Sequence, residues 1–438
     1  MRKYVLVLLI FGLVFAAAGV HAQEGSLGGV DPSGATITYW HQYNSGAQQE
    51  TMNALIEKFN SENQWHITVN GIAQGNYGDI RNLMTAAIVS GELPNLVAGY
   101  QNDAASYFLD DAALDLNPYF NDPTWGYSQA DRADLNTDII NIDVFDAYNG
   151  AMLAWPNQVS ANVLAVNLDM LKSLGFDGPP QDFDTFKAIA CAAAKTEGTQ
   201  GYPIKLDSSN FESMVASRGG RIFHDGQYDF TSDAVVQTFT FYKDLYDSKC
   251  AYIPESAFGN TDDFALGVNP MALGSTAGVP FIISGIQNAG KSFNWTVTTT
   301  PWTDDNRTVQ IYVPSIIVVP STPEQNLASW LFLKFLSEPD SQQAWAAATN
   351  YFPIRRSVAE NAANFMDASN PVTPFFEEAN ALLNDPNIKI YFSTQDLTYG
   401  SVRDLVSTAM ADVTTNGKDV QSVAEQLQKD ANALLTSQ

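Results

Sequence analysis

Acidic side chains are the most numerous ionisable groups in the sequence. The chain has 48 Asp and Glu residues, and adjacent acids occur at 110–111, 262–263, 304–305 and 377–378. Two carboxylates about 5–10 Å apart could act as the acid and base of a glycoside hydrolase. Neighbouring residues rarely face one point, however, so these doublets are typical of solvated loops and helix ends. We therefore expect no enzyme, and a secreted carbohydrate-active enzyme is the alternative.

Serine and histidine patterns give no stronger sign of catalysis or metal binding. Residues 274–278 read GSTAG, with Thr where a nucleophile elbow has Ser. Beyond residue 22 the histidines are His41, His66 and His224, and their spacing does not suit a metal ion. No phosphate loop, dinucleotide fingerprint or calcium-loop pattern occurs in the sequence. We therefore expect neither a cofactor nor a metal.

The two cysteines could form a covalent link. Cys191 and Cys250 each lie on a stretch with helical character. Two neighbouring helices could bring their Cα atoms within the ~5–6 Å that a disulfide needs. An exported chain with an even number of cysteines also favours a bridge. The sequence predicts a Cys191–Cys250 disulfide, with two buried free thiols as the alternative.

The balance of charge excludes two classes of partner. The net charge is −26, and it arises because Lys and Arg number only 22 among 438 residues. Nucleic-acid binding needs a basic patch that displaces counterions, and docking to anionic lipid needs a polybasic face. Hydrophobic residues make up 45 % of the chain, which is typical of a globular protein with a large core.

The N-terminal residues carry the pattern of an export signal. A short positive start precedes a continuous apolar run at 4–15, which is too short to span a bilayer. Small residues stand at the −3 and −1 positions before the bond that follows Ala22. We expect a signal peptide at 1–22, cleaved after Ala22, and a flexible leader at 23–35. The signal has no cysteine, so we expect a periplasmic or extracellular protein without a lipid anchor.

Strands and helices alternate at the start of the mature chain. The pattern predicts strands at 35–40, 66–73 and 96–100, and helices at 48–60, 79–90 and 104–113. Such alternation implies a mostly parallel sheet with helices on both faces.

Two long extended runs interrupt this alternation. Residues 150–166 and 309–320 each contain a proline and no helix between their halves. Such runs can carry the chain from one lobe to another, so we expect an α/β fold of two discontinuous lobes joined by hinge strands. Lobe 1 would comprise 36–155 and 310–351, and lobe 2 would comprise 156–309 and 352–438.

Seven segments carry a further signal through their shared order: 37–60, 75–97, 153–176, 182–190, 216–223, 265–278 and 346–358. Together they resemble the extracellular solute-binding proteins of bacterial ABC importers, in the carbohydrate-binding group that includes the maltose and glycerol-3-phosphate binders. The resemblance implies a venus-flytrap arrangement in which two lobes hold the solute in a cleft. The closed, loaded protein would deliver the solute to a membrane permease, and we expect it to be a monomer.

The ends of strands are where open α/β sheets bind ligands. Tyr43 and Asn44 follow the first strand and lead into a helix, whose free N–H groups can bind a solute oxygen. Asn44 could instead only cap that helix. The resemblance implies further ligand contacts from Tyr77, Gln101 with its neighbour Asn102, Ser160, Ser275, Thr276 and Tyr351.

The arginine pattern bears on the kind of solute. Phosphate-binding relatives carry an arginine near the C-terminus, and its rough equivalent here is Gln395, with Arg355 and Arg403 nearby. Phosphate recognition usually needs Arg or Lys, so we expect a neutral sugar or polyol. A glycerol phosphate or its diester is the alternative, for which Arg355 is kept as a candidate. Rings that could stack on a sugar are Phe211, Trp302, Trp155 and Tyr399, each of which could also be a core residue.

Overall fold

The computed structural model describes residues 27–256, 258–394 and 396–436. The predicted signal peptide, its cleavage site and Gln395 lie outside the described residues. The strands are β1 (Thr36–His41), β2 (Thr68–Ala73), β3 (Leu96–Gly99), β4 (Val144–Phe145), β5 (Ala151–Met152), β6 (Trp155–Pro156), β7 (Ser160–Asn167), β8 (Tyr202–Pro203), β9 (Phe223–His224), β10 (Gln227–Tyr228), β11 (Ala251–Tyr252), β12 (Met271–Ser275), β13 (Trp295–Thr298), β14 (Thr308–Tyr312), β15 (Ser315–Val318) and β16 (Lys389–Phe392).

The helices flank two sheets. They are α1 (Gly46–Glu62), α2 (Tyr77–Ser90), α3 (Gln101–Leu109), α4 (Asn117–Asn121), α5 (Gln129–Asp134), α6 (Thr137–Ile140), α7 (Leu168–Ser173), α8 (Phe183–Ala194), α9 (Ser208–Ala216), α10 (Asp233–Asp247), α11 (Gly259–Ala265), α12 (Val279–Asn288), α13 (Pro323–Leu336), α14 (Pro339–Thr349), α15 (Arg356–Glu360), α16 (Thr373–Asn384), α17 (Tyr399–Val413) and α18 (Val420–Leu435). Among the described helices, none is both long enough and apolar enough to cross a membrane.

The first sheet has the strand order β2-β1-β3-β15-β6. Strand β1 pairs in parallel with β2 and β3, as the strand–helix alternation predicts. The predicted apolar face of α1 is buried, through Met52, Leu55, Ile56 and Phe59. Helices α13 and α14 complete this lobe by packing on β1 and α1.

The second sheet has the order β12-β7-β14-β16, and β13 also pairs with β7. The expectation of mostly parallel sheets is wrong, because β12, β13 and β14 all run antiparallel to β7, and β15 of the first sheet runs antiparallel to β3 and β6. Both sheets are mixed, since β14 pairs in parallel with β16. The position of the hinge explains why these antiparallel pairs form. Strands β7 and β15 start at the hinge and run away from it, while β12 and β14 run towards it.

The chain crosses between the lobes twice within the extended runs, from β6 to β7 and from β14 to β15. The expected boundary at 309/310 divides β14, yet all of β14 pairs in the second sheet. The boundary at 351/352 is also displaced, because α15 still packs on α14 in lobe 1. The chain has returned to lobe 2 by α16, which packs on β13.

The apolar core of lobe 1 includes Trp155 and Trp330, both fully buried, and it continues through the hinge to residues of β13, β14 and α16. The lobe 2 core is built around Phe186, Phe211 and Phe239. A disulfide joins Cys191 on α8 to Cys250 just after α10, with the Cα atoms 4.3 Å apart.

Candidate functional site

Four tyrosines of lobe 1 lie close together just after the ends of β1, β2, β3 and α14. We call Tyr43, Tyr77, Tyr100 and Tyr351 the lobe 1 wall. The rings of Tyr77 and Tyr100 lie 4.8 Å apart, and Tyr43 and Tyr351 pack on Trp345 at 4.9 and 5.9 Å. The structure therefore brings together Tyr43, Tyr77 and Tyr351 and adds Tyr100.

The tyrosine hydroxyls of this wall are neutral hydrogen-bonding groups. Burial raises the pKa of Tyr43 to about 12. Burial also raises the pKa of Tyr77 and of Tyr351 well above the usual value, and neighbouring tyrosines raise both further. The Tyr43 hydroxyl accepts a hydrogen bond from Nε2 of Gln158 at 2.8 Å. The buried hydroxyl of Tyr77 has no partner among the described residues, so it can bond a solute.

Local capping places Tyr77 at the start of α2. The Asn76 side chain accepts from the backbone N–H groups of Gly78 and Asp79, and Asp79 accepts from the Asn76 N–H. This reciprocal box begins the helix two residues earlier than the predicted start at 79. Asn44 lies at the exposed rim of the cleft, where it accepts a hydrogen bond from the Ser45 hydroxyl at 3.3 Å.

Gln101 and Asn102 form the first turn of α3, which begins three residues before the predicted helix start at 104. Asp103 explains the earlier start of the helix, because its carboxylate accepts the backbone N–H of Tyr100 at 3.0 Å. Nε2 of Gln101 lies within 3.1 Å of Asp143, Ser315 and the carbonyl of Val313. The hydrogen bonds of the Gln101 NH2 group therefore hold α3 against the hinge.

A polar cluster forms beside this turn. Asn102 donates to Asp103 at 3.0 Å, and Nε of Arg81 donates to the same carboxylate oxygen at 2.7 Å. Asn102 and Asp103 are buried, whereas the Arg81 side chain is 29 % exposed. Arg81 is thus a cation at the edge of the cleft whose charge is already compensated.

Lobe 2 faces these tyrosines with an ion pair. We call Asp207, Ser209, Tyr399 and Arg403 the lobe 2 wall. Arg403 donates from Nη1 to the Ser209 hydroxyl at 2.7 Å and from Nη2 to Asp207 at 3.4 Å. Its guanidinium group also lies 5.6 Å from the ring centre of Tyr399. The Arg403 and Asp207 side chains keep 31 % and 27 % exposure, so both can reach a solute.

The first turn of α9 holds Asp207 in place. Its carboxylate accepts the backbone N–H groups of Ser209 and Asn210 at 3.0 and 3.1 Å, as an N-cap does. Burial alone would raise the pKa of Asp207, but Arg403 and these donors outweigh it and the pKa lies below its usual value. Asp207 is therefore an ionised acceptor, and Arg403 beside it supplies the remaining N–H donors.

The two walls are neighbours across the cleft. Burial raises the pKa of Tyr100, Arg403 opposes that shift and Asp207 adds to it, although both lie in the other lobe. On the hinge side, Ser160 pairs with Tyr312 between β7 and β14. Backbone N–H groups donate to the hydroxyls of Thr276 and Ser275, from Ala161 and Ala277 respectively. These three predicted hydroxyl residues therefore lie at the hinge end of the second sheet.

Three predicted site residues lie elsewhere. Phe211 is fully buried with its ring 4.4 Å from that of Phe239, because a phenyl ring inside α9 is stabilised by core packing. Trp302 lies beyond the end of β14 that is remote from the hinge. Its backbone N–H donates to the carbonyl of Gln181, and the Arg307 guanidinium group covers its ring. Trp155, named with them as a stacking ring, is also a core residue.

Arg355 is also a structural residue. Its buried side chain donates to Asp131 and Asp134 at 3.3 and 3.0 Å and to the carbonyl of Ser337. These acceptors occupy a guanidinium group that would otherwise need solvent, so Arg355 anchors the chain after α14 to lobe 1. Among the described residues, no three His, Cys, Asp or Glu side chains cluster as a metal ion would need.

Sequence reasoning missed four members of the walls: Tyr100, Asp207, Ser209 and Arg403. Tyr100 follows β3, and Asp207 followed by two serines is an N-cap pattern, so both left a local signal. Arg403, named only as an arginine near Gln395, lies on the second turn of α17, which brings it beside Asp207. No local signal pairs Asp207 with Arg403, since 196 positions separate them.

Comparison with known proteins agrees with the two-lobed fold. A model of the family described as bacterial extracellular solute-binding protein matches residues 54–372. The sn-glycerol-3-phosphate-binding periplasmic protein UgpB of Yersinia enterocolitica is 23 % identical over 343 residues, which are 74 % of this chain and 75 % of UgpB.

Solved structures show the same fold at low identity. UgpB from Mycobacterium tuberculosis in complex with glycerophosphocholine has a TM-score of 0.76 at 18 % identity, over 92 % of this chain and 99 % of that one. The GacH receptor of Streptomyces glaucescens, known in complex with acarbose, has a TM-score of 0.76 at 19 % identity, over 92 % and 98 % of the two chains.

Proposed function

The chain belongs to the bacterial extracellular solute-binding proteins, and from that premise we propose that it captures a neutral sugar or polyol between the lobe 1 and lobe 2 walls. The loaded protein closes and delivers the solute to the permease of an ABC importer. We further propose that it acts as a monomer, without a catalytic step, after removal of the peptide at 1–22.

One observation carries the choice of a neutral solute. Each arginine described at the cleft already has a carboxylate partner: Arg81 pairs with Asp103, and Arg403 pairs with Asp207. A phosphate at Arg403 would face the charge of Asp207 within the same wall. A sugar hydroxyl both donates and accepts, so it can bond the carboxylate, the guanidinium group and the Tyr77 hydroxyl together.

Closure follows if the solute bonds both walls. Contacts that exist only when the lobes meet stabilise the closed state over open ones, which shifts the population. The lobe 1 wall offers neutral hydroxyls and ring faces, on which the C–H faces of a sugar can pack. The lobe 2 wall offers a charged acceptor, Asp207, at the N-cap of α9 and a charged donor, Arg403, near the start of α17.

A glycerol phosphate or its diester is the second proposal. Its support is the similarity to two UgpB proteins. The compensated charge of Arg403 argues against it. Competition between Asp207 and the phosphate is the physical difference that a binding experiment can resolve.

A thermal-shift screen of residues 23–438 tests the proposal. The probes are maltose, glucose, glycerol, sn-glycerol 3-phosphate and glycerophosphocholine. A solute at 100 times its dissociation constant adds ~2.7 kcal/mol to the free energy of unfolding, which moves the midpoint by a few degrees. We expect a shift with a neutral sugar or polyol that is recovered intact. A shift with the phosphates alone would favour the second proposal, and conversion of the sugar would favour an enzyme.

A further inference from the structure

The two lobes touch on both rims of the cleft, and a glycine stands at each contact. On the first rim, Nε2 of Gln48 donates to the carbonyl of Ala277 at 3.2 Å. A Cβ placed on Gly46 there would lie 3.2 Å from Cε1 of Phe281. Gly46 has a φ of +59°, so any side chain would also strain its backbone.

The second rim gives a contact without that complication. Gly400 is the second residue of α17, is buried and has no left-handed φ. A Cβ placed on it would lie 3.1 Å from Nδ2 of Asn102 and 3.3 Å from Cζ of Arg81, both in lobe 1. Such contacts are tighter than ordinary van der Waals packing. Only glycine therefore lets the start of α17 rest on this part of lobe 1 without displacing it.

Asn102 and Arg81 are not free to move aside. Both donate to the buried carboxylate of Asp103, which also holds the first turn of α3. Moving either side chain away from Gly400 would weaken hydrogen bonds to a buried charge. The lobe 1 side of this contact is therefore a braced surface.

We propose that Gly400 is a positioning residue that sets how closely the lobes close, because α17 meets Asn102 and Arg81 through its missing side chain. This inference rests on the proposed function for the meaning of closure, since the closed form is the one that would hold the solute. A larger residue at 400 opposes the closed state alone, because open lobes leave the position clear. Local helix preference acts in the other direction, as alanine and leucine form helices better than glycine.

Crosslinking across the opposite rim measures closure without any solute. Cysteines replace Gln48 and Ala277, and a short bis-methanethiosulfonate traps each closing event. We expect Gly400→Leu to slow trapping by about tenfold or more, the scale on which overpacking shifts a two-state equilibrium. Gly400→Ala should slow it by a smaller factor. The thermal midpoint of neither variant should fall.

Two further variants make the result specific. Gly178→Leu is the matched control, because no described atom lies within 4 Å of a Cβ placed there and its φ is not left-handed. It should trap at the wild-type rate. Asn102→Ala combined with Gly400→Leu removes the nearest obstacle and should recover part of the rate.

Trapping of Gly400→Leu at the wild-type rate would overturn the inference. So would slowing that accompanies a lower thermal midpoint and is not relieved by Asn102→Ala. Because no solute is added, the solute screen and the crosslinking can fail independently. Slow trapping with no solute found would leave this inference standing and remove support from the proposed function.

Discussion

The two walls of the cleft are built from different chemistry. The lobe 1 wall consists of tyrosines whose raised pKa values keep them neutral, and the hydroxyl of Tyr77 has no partner among the described residues. The lobe 2 wall contains an ion pair between Asp207, the N-cap of α9, and Arg403 near the start of α17, whose side chains are 27 % and 31 % exposed. The first wall can supply shape and single hydrogen bonds, whereas the second can supply the strong charge-assisted bonds.

This difference predicts an unequal division of binding energy. Hydrogen bonds to charged groups contribute about 1.5–3 kcal/mol, and neutral ones contribute about 1 kcal/mol. Loss of the ion pair should therefore cost more affinity than loss of one tyrosine hydroxyl. Each variant below is measured with the neutral sugar that gives the largest thermal shift.

Arg403→Ala should have the largest effect. It removes the donors of the lobe 2 wall and leaves Asp207 without its cation, so the affinity should fall by about 100-fold. Calorimetric titration measures the loss. Arg307→Ala is the matched control, since Arg307 forms a similarly exposed ion pair with Asp385 and covers Trp302 away from the cleft. An equal loss in both variants would contradict the assignment of the lobe 2 wall.

Asp207→Asn should change selectivity as well as affinity. The variant leaves Arg403 uncompensated, so binding of sn-glycerol 3-phosphate, which we expect to be unmeasurable in wild type, should become measurable while sugar binding weakens. Competition between the two solutes in a titration reads both changes. If phosphate binding stays unmeasurable, Asp207 is not what disfavours an anion in this cleft.

Tyr77→Phe should have a smaller effect, because it removes one hydroxyl and keeps the ring. We expect sugar affinity to fall by about three- to tenfold with an unchanged thermal midpoint of the free protein. Tyr148→Phe is the control, because the Tyr148 hydroxyl likewise has no partner within the described part of the chain and its ring packs on Phe108, away from the cleft. Unchanged affinity in Tyr77→Phe would remove Tyr77 from the lobe 1 wall.

Two carboxylates near the walls, Asp143 and Asp207, should contribute to the free energy of unfolding with opposite dependence on pH. Burial raises the pKa of Asp143, which accepts from Gln101 and Ser315, from 3.8 to about 7. The folded protein thus keeps a proton that the unfolded chain loses, and this contribution to stability falls as pH rises from about 4 to 7. The pKa of Asp207 is lowered, so its contribution is lost as pH falls.

Urea unfolding at pH 3, pH 5 and pH 8 measures this difference. Asp143→Asn should gain stability relative to wild type at pH 8 and gain less at pH 5. Asp207→Asn should be less stable than wild type at pH 5 and pH 8. This loss should become smaller below pH 4, where protonation of Asp207 removes its contribution from wild type as well. A pH-independent difference between Asp143→Asn and wild type would contradict the assignment to Asp143.

Local patterns predict the parts of this site that depend on strand ends. The first strand and helix place Tyr43, and the Asn76 cap places Tyr77, so nearby residues determine both. The strand–helix alternation likewise predicts the parallel core of the first sheet. It does not predict the antiparallel pairs around β7 in the second sheet, because these depend on how the two crossings enter that sheet.

Contacts between distant residues account for the errors. Gln101 has the amide expected of a sugar ligand, but its acceptors Asp143 and Ser315 lie 42 and 214 positions away. Phe211 and Tyr399 are both aromatic and both are buried in the lobe 2 core, and only three-dimensional packing places Tyr399 beside Arg403. Arg355 and Arg403 also look alike in the sequence. Their carboxylate partners distinguish them, because Arg355 pairs with Asp131 and Asp134 within lobe 1, whereas Arg403 pairs with Asp207 in the lobe 2 wall.

We propose that the compensated ion pair and the tyrosine wall select an uncharged solute. Calorimetric titration of residues 23–438, without substitutions, with maltose, with the neutral sugar that gives the largest thermal shift and with sn-glycerol 3-phosphate is the decisive measurement. We expect saturable binding of one molecule of a neutral sugar per chain and no measurable heat from the phosphate. Saturable binding of the phosphate together with no binding of any neutral sugar would contradict it.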